Sequence, residues 1–461
     1  MAAGSEAVSR ATDSVEALPW PNARAAWYTV SLIATVHMLS MLDRSIINLL
    51  VQPIKRDLAL SDTEMSLIIG FAFSGAYGLF GLPMARLADH RSRKMILVIG
   101  LAVWSIATAL CGAARQFAHL FIARSVVGGA ESVAGPSSMS MISDLVPPEK
   151  LPRAFAIYQL GISAGAAGAL FVGGLLVAFF AAVGPIRLPL VGVARDWQLV
   201  LLICALPGLL TALIFFLTVR EPVRRNRRTS GSVPLRDVGR FLGRNKLLFI
   251  LLFLSLGIGA IENFGLMAWR PAFYERTYGW GPQQIGPLLA LSLVMSVPVA
   301  LISGTWLAEF MNKKGHVDAM VRVCCLTQVL SAPFAIAGPL MPDPWLALIC
   351  GTLASMFGLM GAPAQNSAIQ MVTPNEMRAQ ISALYLLTIS VVGTGLGPLA
   401  IALITDFGFG HEGSLRYSMA TIAGLLAPGG AFLMYLAIRP YGRAVADARR
   451  GWAADRRIAA D

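Results

Sequence analysis

The stretch GLPMARLADHRSRK, residues 81–94, is a basic turn between two long apolar runs, and a related stretch recurs later in the chain. A shift of 220 residues lays its last eight residues over LAEFMNKK, Leu307–Lys314, and pairs Asp89 with Glu309. A turn that recurs at such a distance between apolar runs indicates an internal duplication. The sequence therefore predicts two related halves.

The composition places these halves in a lipid bilayer. Of the 461 residues, 56% are hydrophobic and 13% are charged, and the mean hydropathy is +0.66. Apolar runs of about 20 residues, the length that crosses a membrane as a helix, recur throughout. We predict an all-α membrane protein of twelve transmembrane helices in two six-helix bundles related by a pseudo-two-fold repeat. The runs fall near residues 27–52, 65–86, 95–114, 119–145, 153–182, 197–219, 246–273, 285–309, 319–340, 345–371, 379–405 and 415–438.

The predicted domains follow from these runs. Bundles at 27–219 and 246–438 are joined by a basic linker at 220–245 and flanked by tails at 1–26 and 439–461. Most of the 37 Lys and Arg residues fall in the tails, the linker and the other even-numbered loops. Because basic loops stay in the cytoplasm, we expect a multi-pass protein of the cell (inner) membrane with both termini cytoplasmic.

The net charge of +12 raises the question of nucleic acid. The basic residues concentrate in the linker, where they suit the surface of an anionic leaflet, so we expect no nucleic-acid partner. The five cysteines lie in apolar runs without metal-ligand spacing, and no phosphate-binding loop is found. We therefore expect no metal, no cofactor and no enzymatic activity.

Four charged residues inside the predicted helices are the strongest functional signal. Asp43 and Arg44 lie in SMLDRSIINL, residues 40–49, while Arg124 and Glu131 lie two turns apart on one face of helix 4. Each ion costs about 2.5 to 3.5 kcal/mol at the bilayer centre, so such groups usually face a cavity or each other. The four charges sum to zero. They can pair as Asp43 with Arg124 and Glu131 with Arg44, or the reverse.

Protonation would make such a cluster useful. Protonating Glu131 would release an arginine, and a free guanidinium suits a phosphate or carboxylate. We therefore predict proton coupling at these four residues and anion binding at Arg44 or Arg124. A static salt bridge between helices 1 and 4 is the alternative. His37 and Tyr158 are further candidates for substrate contact in this half.

The second half lacks charged counterparts of these four residues: at the repeat shifts they meet Asn263, Phe264, Cys350 and Phe357. We therefore expect coupling in the first half and substrate recognition in the second. Its polar side chains are few, which favours an apolar substrate body. The candidates for substrate contact are Glu262, Asn263, Gln365, Asn366 and Tyr385.

The turn at residues 81–94 resembles the loop signature of the major facilitator superfamily, with Ala85, His90 and Ser92 departing from it. The resemblance implies that Asp89 receives cationic and helix-end contacts that hold the two halves together, with Arg93 and Lys94 at the leaflet. A plain basic loop that only sets topology is the alternative.

Within that superfamily the first half is similar to the Spinster family. The similarity rests on MLDRSII, SDTEMSLI, ARSVVGGAESVAGPSS and DLVPPEKLPRAFAIYQLG. It implies a transporter, expected to be monomeric, that moves a lysolipid-like amphipathic anion (a lysophospholipid or a sphingoid phosphate), with protons as the coupling ion. A carrier of small organic anions or drugs and a receptor that transports nothing are the alternatives.

Overall fold

The structure, a computed structural model, is helical almost throughout. It describes residues 20–184, 186–188, 192–224, 234–374 and 377–458. Parts of the predicted tails and linker therefore lie outside the described residues. We number the twelve membrane-crossing segments α1 to α12. The predicted all-α, two-bundle membrane fold is confirmed.

The N-terminal half contains α1 to α6. A short helix, Val51–Leu58, follows α1, and a two-stranded antiparallel hairpin, Ile186–Leu188 with Gly192–Ala194, precedes α6. The segments are α1 (Ala23–Leu49), α2 (Asp62–Ser66, a π-helical turn Leu67–Ala72, and Phe73–His90), α3 (Arg93–Gly112), α4 (Phe117–Glu131 and Ala134–Leu145), α5 (Leu151–Val183) and α6 (Asp196–Thr218).

The C-terminal half contains α7 to α12. A short amphipathic helix, Leu235–Arg244, precedes α7 within the predicted linker, and α12 continues into the predicted tail. The segments are α7 (Lys246–Tyr278), α8 (Pro282–Lys313), α9 (Ala319–Ala337), α10 (Pro344–Met360 and Ala362–Val372), α11 (Arg378–Thr388, Ile389–Leu396, Gly397–Leu403 and Ile404–Phe409) and α12 (Leu415–Ile458).

Eleven of these segments are long and apolar enough to cross a membrane by composition alone. The exception is α4, which is divided into helices of 15 and 12 residues. Arg124 and Glu131 both lie in its first helix and are buried. The segment that departs most from an ordinary membrane helix is thus the one that contributes two of the four predicted site charges.

Close helix crossings position α4 against α2. A Cβ on Gly128 would lie 2.2 Å from the backbone oxygen of Phe73, so only glycine allows this approach. Phe73 is the first residue after the π-helical turn of α2. An extra residue per turn changes which way the following side chains face. The crossing and the turn together fix Phe73 beside α4.

The halves meet through two pairs of segments. A Cβ on Gly70 of α2 would lie 2.6 Å from the backbone oxygen of Thr394 in α11. A Cβ on Gly286 of α8 would lie 2.4 Å from the backbone oxygen of Leu170 in α5. Small residues at both crossings bring the backbones into contact.

Candidate functional site

The structure brings Arg44 and Glu131 into direct contact between α1 and α4. The Nη2 and Nε atoms of Arg44 lie 2.5 and 2.6 Å from Oε1 of Glu131, and Ser40 donates a hydrogen bond to the same oxygen. The Glu131 side chain is 0% exposed, whereas that of Arg44 is 28% exposed. The second carboxylate oxygen of Glu131 is buried and has no hydrogen-bond partner among the described residues. The cation of the pair, Arg44, is therefore accessible, whereas the anion, Glu131, is buried with only one of its two oxygens hydrogen-bonded among the described residues.

Phe73 separates the two arginines of this site. Its ring centroid lies 4.5 Å from Cζ of Arg44 and 5.1 Å from Cζ of Arg124. Tyr77, one turn further along α2, lies 5.0 Å from Cζ of Arg44. Ring faces attract guanidinium groups at these distances. The sequence analysis missed both aromatic residues, because their relation to the arginines depends on how α2 packs.

Asp43 and Arg124 are neighbours but do not form an ion pair. Nη1 of Arg124 donates to the backbone oxygen of Asp43 at 3.1 Å, and its buried Nε has no partner in the described part of the structure. The Asp43 carboxylate instead accepts from Thr108 at 3.3 Å. Of the two pairings that the sequence left open, only Glu131 with Arg44 is present.

His37 and Tyr158 lie on the same side of the bundle and bind each other. The Tyr158 hydroxyl is 2.7 Å from Nε2 of His37, and both side chains are buried. Each therefore has a protein partner, which favours a positioning role over direct substrate contact.

The C-terminal half contains a cavity of about 240 Å³ between α7, α9, α10, α11 and α12. Glu262, Asn263 and Gln365 line it, as the assignment of substrate contact to this half requires. Asn366 and Tyr385 do not. The Asn366 amide donates to the Ala362 backbone oxygen at 3.2 Å, and the buried Tyr385 donates to Gln365 at 3.3 Å.

Arg270 is a cavity residue that the sequence analysis missed. It lies on the wall with Glu262, and its Nη2 donates to the Gly351 backbone oxygen at 3.2 Å and to Ser355 at 2.9 Å. It lies three residues before the predicted end of this helix at residue 273. Because α7 continues to Tyr278, Arg270 lies two turns inside the helix. The C-terminal half thus has its own half-buried cation.

A charged network joins the halves on the face opposite the chain termini. Arg276 of α7 forms two ion-pair contacts with Asp62 at the start of α2. Lys55 also binds Asp62 and lies 2.9 Å from Glu412. Thr63 donates to Asp406 through its amide and its hydroxyl. Every ion pair between the halves in the described part of the chain lies on this face.

On the terminus face the predicted gating loop makes contacts only within the N-terminal half and its continuation into the linker. Arg93 is buried rather than at the leaflet, because its guanidinium binds Asp144 at 2.5 Å and Glu221 at 2.9 Å. The backbone N–H of Lys94 donates to Glu221 at 2.7 Å, and the Lys94 Nζ lies 5.3 Å from the Phe216 ring centroid. The Asp89 side chain lies outside the described part of the structure, so its gating contacts stay a prediction.

Glu221 is the anionic centre of this loop. Burial alone would raise its pKa, but hydrogen bonds from Lys94, Arg93 and Ser92, together with the charge of Arg93, hold the pKa below its ordinary value. The carboxylate therefore stays ionised and ties the first linker residues to the start of α3.

Two buried charge sites on separate helical bundles, joined at one face, are the arrangement of an alternating-access carrier. The sequence profile of the Major Facilitator Superfamily matches residues 33–398. The chain belongs to the Major Facilitator Superfamily. It is therefore a secondary transporter and not an enzyme.

Individual members of this superfamily are similar in sequence to this chain. The MFS-type efflux pump of Mycolicibacterium smegmatis is 25% identical over 83% of this chain and 85% of its own length. Protein spinster of Drosophila melanogaster is 22% identical over 83% of this chain and 62% of its own length. The resemblance to Spinster proteins is thus confirmed at low identity.

The fold agrees with a crystal structure of a bacterial homolog to the human lysosomal transporter Spinster, in an inward-facing and unoccupied conformation. It has a TM-score of 0.74 and 24% identity, and covers 93% of this chain and 99% of that chain. Because the identity is low, this likeness concerns the fold. Among the described residues no cluster of His, Cys, Asp or Glu has the geometry of a metal site.

Proposed function

We propose that this facilitator moves an amphipathic anionic lipid of the lysophospholipid or sphingoid-phosphate type, and that protons drive it through Glu131. The observation that carries the proposal is the unequal burial of one ion pair. Glu131 is fully buried with one oxygen unpartnered, while Arg44 is partly exposed beside it. A proton and an anionic headgroup can therefore compete for the same pair.

The exchange follows from the contacts of Glu131. With the carboxylate ionised, Arg44 is held by Glu131 and is a weak site for a second anion. A proton on the unpartnered oxygen of Glu131 removes the charge that holds Arg44. The guanidinium, still stacked on Phe73 and Tyr77, then turns its donors to a phosphate. Release of the phosphate and loss of the proton restore the pair.

The orientation in the membrane completes the proposal. The excess of basic residues in the tails and even-numbered loops supports cytoplasmic termini in the cell membrane. With this orientation, the charged network holds the outer face closed. The relationship to Spinster proteins supports the lipid substrate.

Uptake into sealed proteoliposomes tests this function. Wild-type protein should take up a labelled lysolipid faster when a pH gradient is imposed. The Glu131→Gln variant should lose that dependence on pH while still folding, because the amide mimics the protonated acid. Glu149→Gln, which changes an exposed acid on the terminus face, should keep wild-type behaviour. A pH response in Glu131→Gln equal to that of wild type would overturn the coupling assignment.

A second candidate is a carrier of small organic anions or drugs. Two observations favour it: the polar residues that line the C-terminal cavity and the relationship to an efflux pump. Competition separates the two candidates. Short-chain anions that block uptake, where lysolipids fail to do so, select the small-anion carrier.

A further inference from the structure

The cavity of the C-terminal half is separate from the Arg44 and Glu131 pair, because every residue that lines it belongs to α7 or to a later segment. Its volume of about 240 Å³ is below that of typical ligand pockets, which begin near about 300 Å³. It therefore fits a small polar group and not a long acyl chain. Its chemistry is set by two charges on one helix.

Glu262 and Arg270 are eight residues apart on α7 and both line the cavity. At a rise of 1.5 Å per residue, their backbones are separated by about 12 Å along the helix axis. The two side chains thus present opposite charges at two levels of one wall. Arg270 is nearer the closed face and Glu262 nearer the middle of the helix.

Neither charge has an ionic partner in the described part of the chain. The two protein contacts of Arg270 are a backbone oxygen and a serine hydroxyl, both of which accept from Nη2. Its Nε and Nη1 donors have no protein acceptor among the described residues. Glu262 likewise has no protein donor there. Both side chains are half-buried. A charge drawn partly out of water without a partner is costly, so a ligand that supplies both counter-charges is favoured.

The neutral side chain of Gln328 further limits which ligand group can bind near Glu262. The Gln328 side chain lines the same cavity, and its amide oxygen is buried without a hydrogen-bond partner among the described residues. Its amide nitrogen is directed to Ser255 at 3.5 Å. Together with the Glu262 carboxylate, this oxygen gives the cavity two acceptors that lack a protein donor in the described part of the chain. A primary ammonium donates three hydrogen bonds and carries the matching charge.

We infer that this cavity is a binding subsite for a zwitterion, with anionic phosphate or carboxylate oxygens on Arg270 and a primary ammonium at Glu262 and Gln328. The inference rests on the proposed function in one respect: the zwitterion is the headgroup of the transported amphiphile. The same chemistry occurs in a free phosphoethanolamine, so the test includes both sources.

Binding to the full chain in nanodiscs tests the subsite with two matched pairs of probes. One pair is phosphoethanolamine and ethyl phosphate; the other is a lysophosphatidylethanolamine and the lysophosphatidylethanol of the same acyl chain. In each pair the members differ by the ammonium group. Wild-type protein should bind the ammonium member at least about tenfold more tightly, the effect of one well-placed charge contact of about 1.4 kcal/mol.

Variants test which residue binds the ammonium group and which binds the phosphate of the zwitterion. Glu262→Gln should make the members of each pair bind equally, and Arg270→Gln should weaken both members. Gln370→Ala, at an exposed position on α10 outside the cavity lining, should keep the wild-type preference. An equal affinity for both members in wild-type protein overturns the subsite without any variant. A preference that survives in Glu262→Gln overturns it as well.

The outcomes separate this inference from the proposed function. Preferential binding of phosphoethanolamine with no lysolipid uptake supports the subsite and removes the lipid function. Lysolipid uptake that depends on Glu131, with no preference for the ammonium, supports the function and removes the subsite.

Discussion

Arg276 of the C-terminal half forms a bidentate ion pair with Asp62 of the N-terminal half, in which the distances from Nη1 to Oδ2 and from Nη2 to Oδ1 are each 2.6 Å. The side chains are 6% and 0% exposed. Forked pairing of this kind is both strong and directional. Among the described residues it is the shortest ionic contact between the halves, and it must break for this face to open.

Arg276→Gln should therefore shift the protein away from the state closed at this face. Removing one partner of a buried ion pair costs on the order of 3 kcal/mol when the other charge is left unpaired, and the loss should be smaller here because Lys55 still binds Asp62. Spin labels at Ala118 and Pro342, in a Cys325→Ser and Cys350→Ser background, should gain a population at longer distance.

The matched control for that measurement is Arg56→Gln. Arg56 also pairs across the halves, with Glu275, but its side chain is 70% exposed. Exposed pairs contribute about 0 to 1 kcal/mol, so its label distances should not change. Unchanged distances in Arg276→Gln would show that other contacts hold this face closed.

Arg44 and Arg124 should respond differently to removal. Arg44 is partly exposed at the ion pair, so its removal together with the charge of Glu131 should keep the fold. Compared with Glu131→Gln alone, the double variant Arg44→Ala with Glu131→Gln should bind anions at least about tenfold more weakly. Arg124 is buried and donates to the Asp43 backbone oxygen, so Arg124→Ala should mainly lower the melting temperature. Binding titrations and thermal melts of the same preparations distinguish the two roles; a loss of affinity only in Arg124→Ala would reverse the assignment.

The crossing of α2 and α4 is sensitive to a single methyl group. Gly128→Ala places Cβ 2.2 Å from a backbone oxygen, and the helices must separate to relieve the clash. We expect a loss of about 1 to 3 kcal/mol of stability, the usual cost of overpacking. Gly135→Ala, later in α4 with nothing within 4 Å, should be neutral. Equal melting temperatures for both variants would argue against the close crossing.

The contacts of Glu221 predict a pH dependence of stability. Its pKa is lower in the folded protein than in the unfolded chain, so its contribution is complete above about pH 4.3 and is lost as the pH falls through the folded value. The difference in melting temperature between wild type and Glu221→Gln should be large at pH 7 and shrink below about pH 4. Glu149→Gln, at an exposed position, should show no such difference at any pH. A constant difference across this range would remove the ionic explanation.

Much of this description follows from local pattern. Hydrophobic runs, the repeated basic turn and the few charges inside helices act over one helix length, so the sequence predicted the two-bundle fold and the contact between helices 1 and 4. Glu262 and Asn263 were found for the same reason: a polar side chain in an apolar run stands out wherever the helix packs.

Other features needed the packed structure. Phe73 is one aromatic residue among many in apolar runs, and only the π-helical turn and the Gly128 crossing place it between two arginines. Arg270 was not singled out because it lies close to the predicted helix end at residue 273, and helix bounds are the least certain part of a sequence reading. The sequence pattern likewise could not show whether Arg44 or Arg124 is the partner of Glu131.

The sequence by itself determined how many apolar helices form, that they repeat and which of them contain ions, because burial in lipid selects residue types locally. Tertiary structure alone decided which ions touch, which face is closed and which charges in the cavity have no partner. Those outcomes depend on side-chain distances between segments that are far apart in the sequence, such as those of Asp62 and Arg276. A contact between two such residues produces no periodic pattern in the sequence from which it could be predicted.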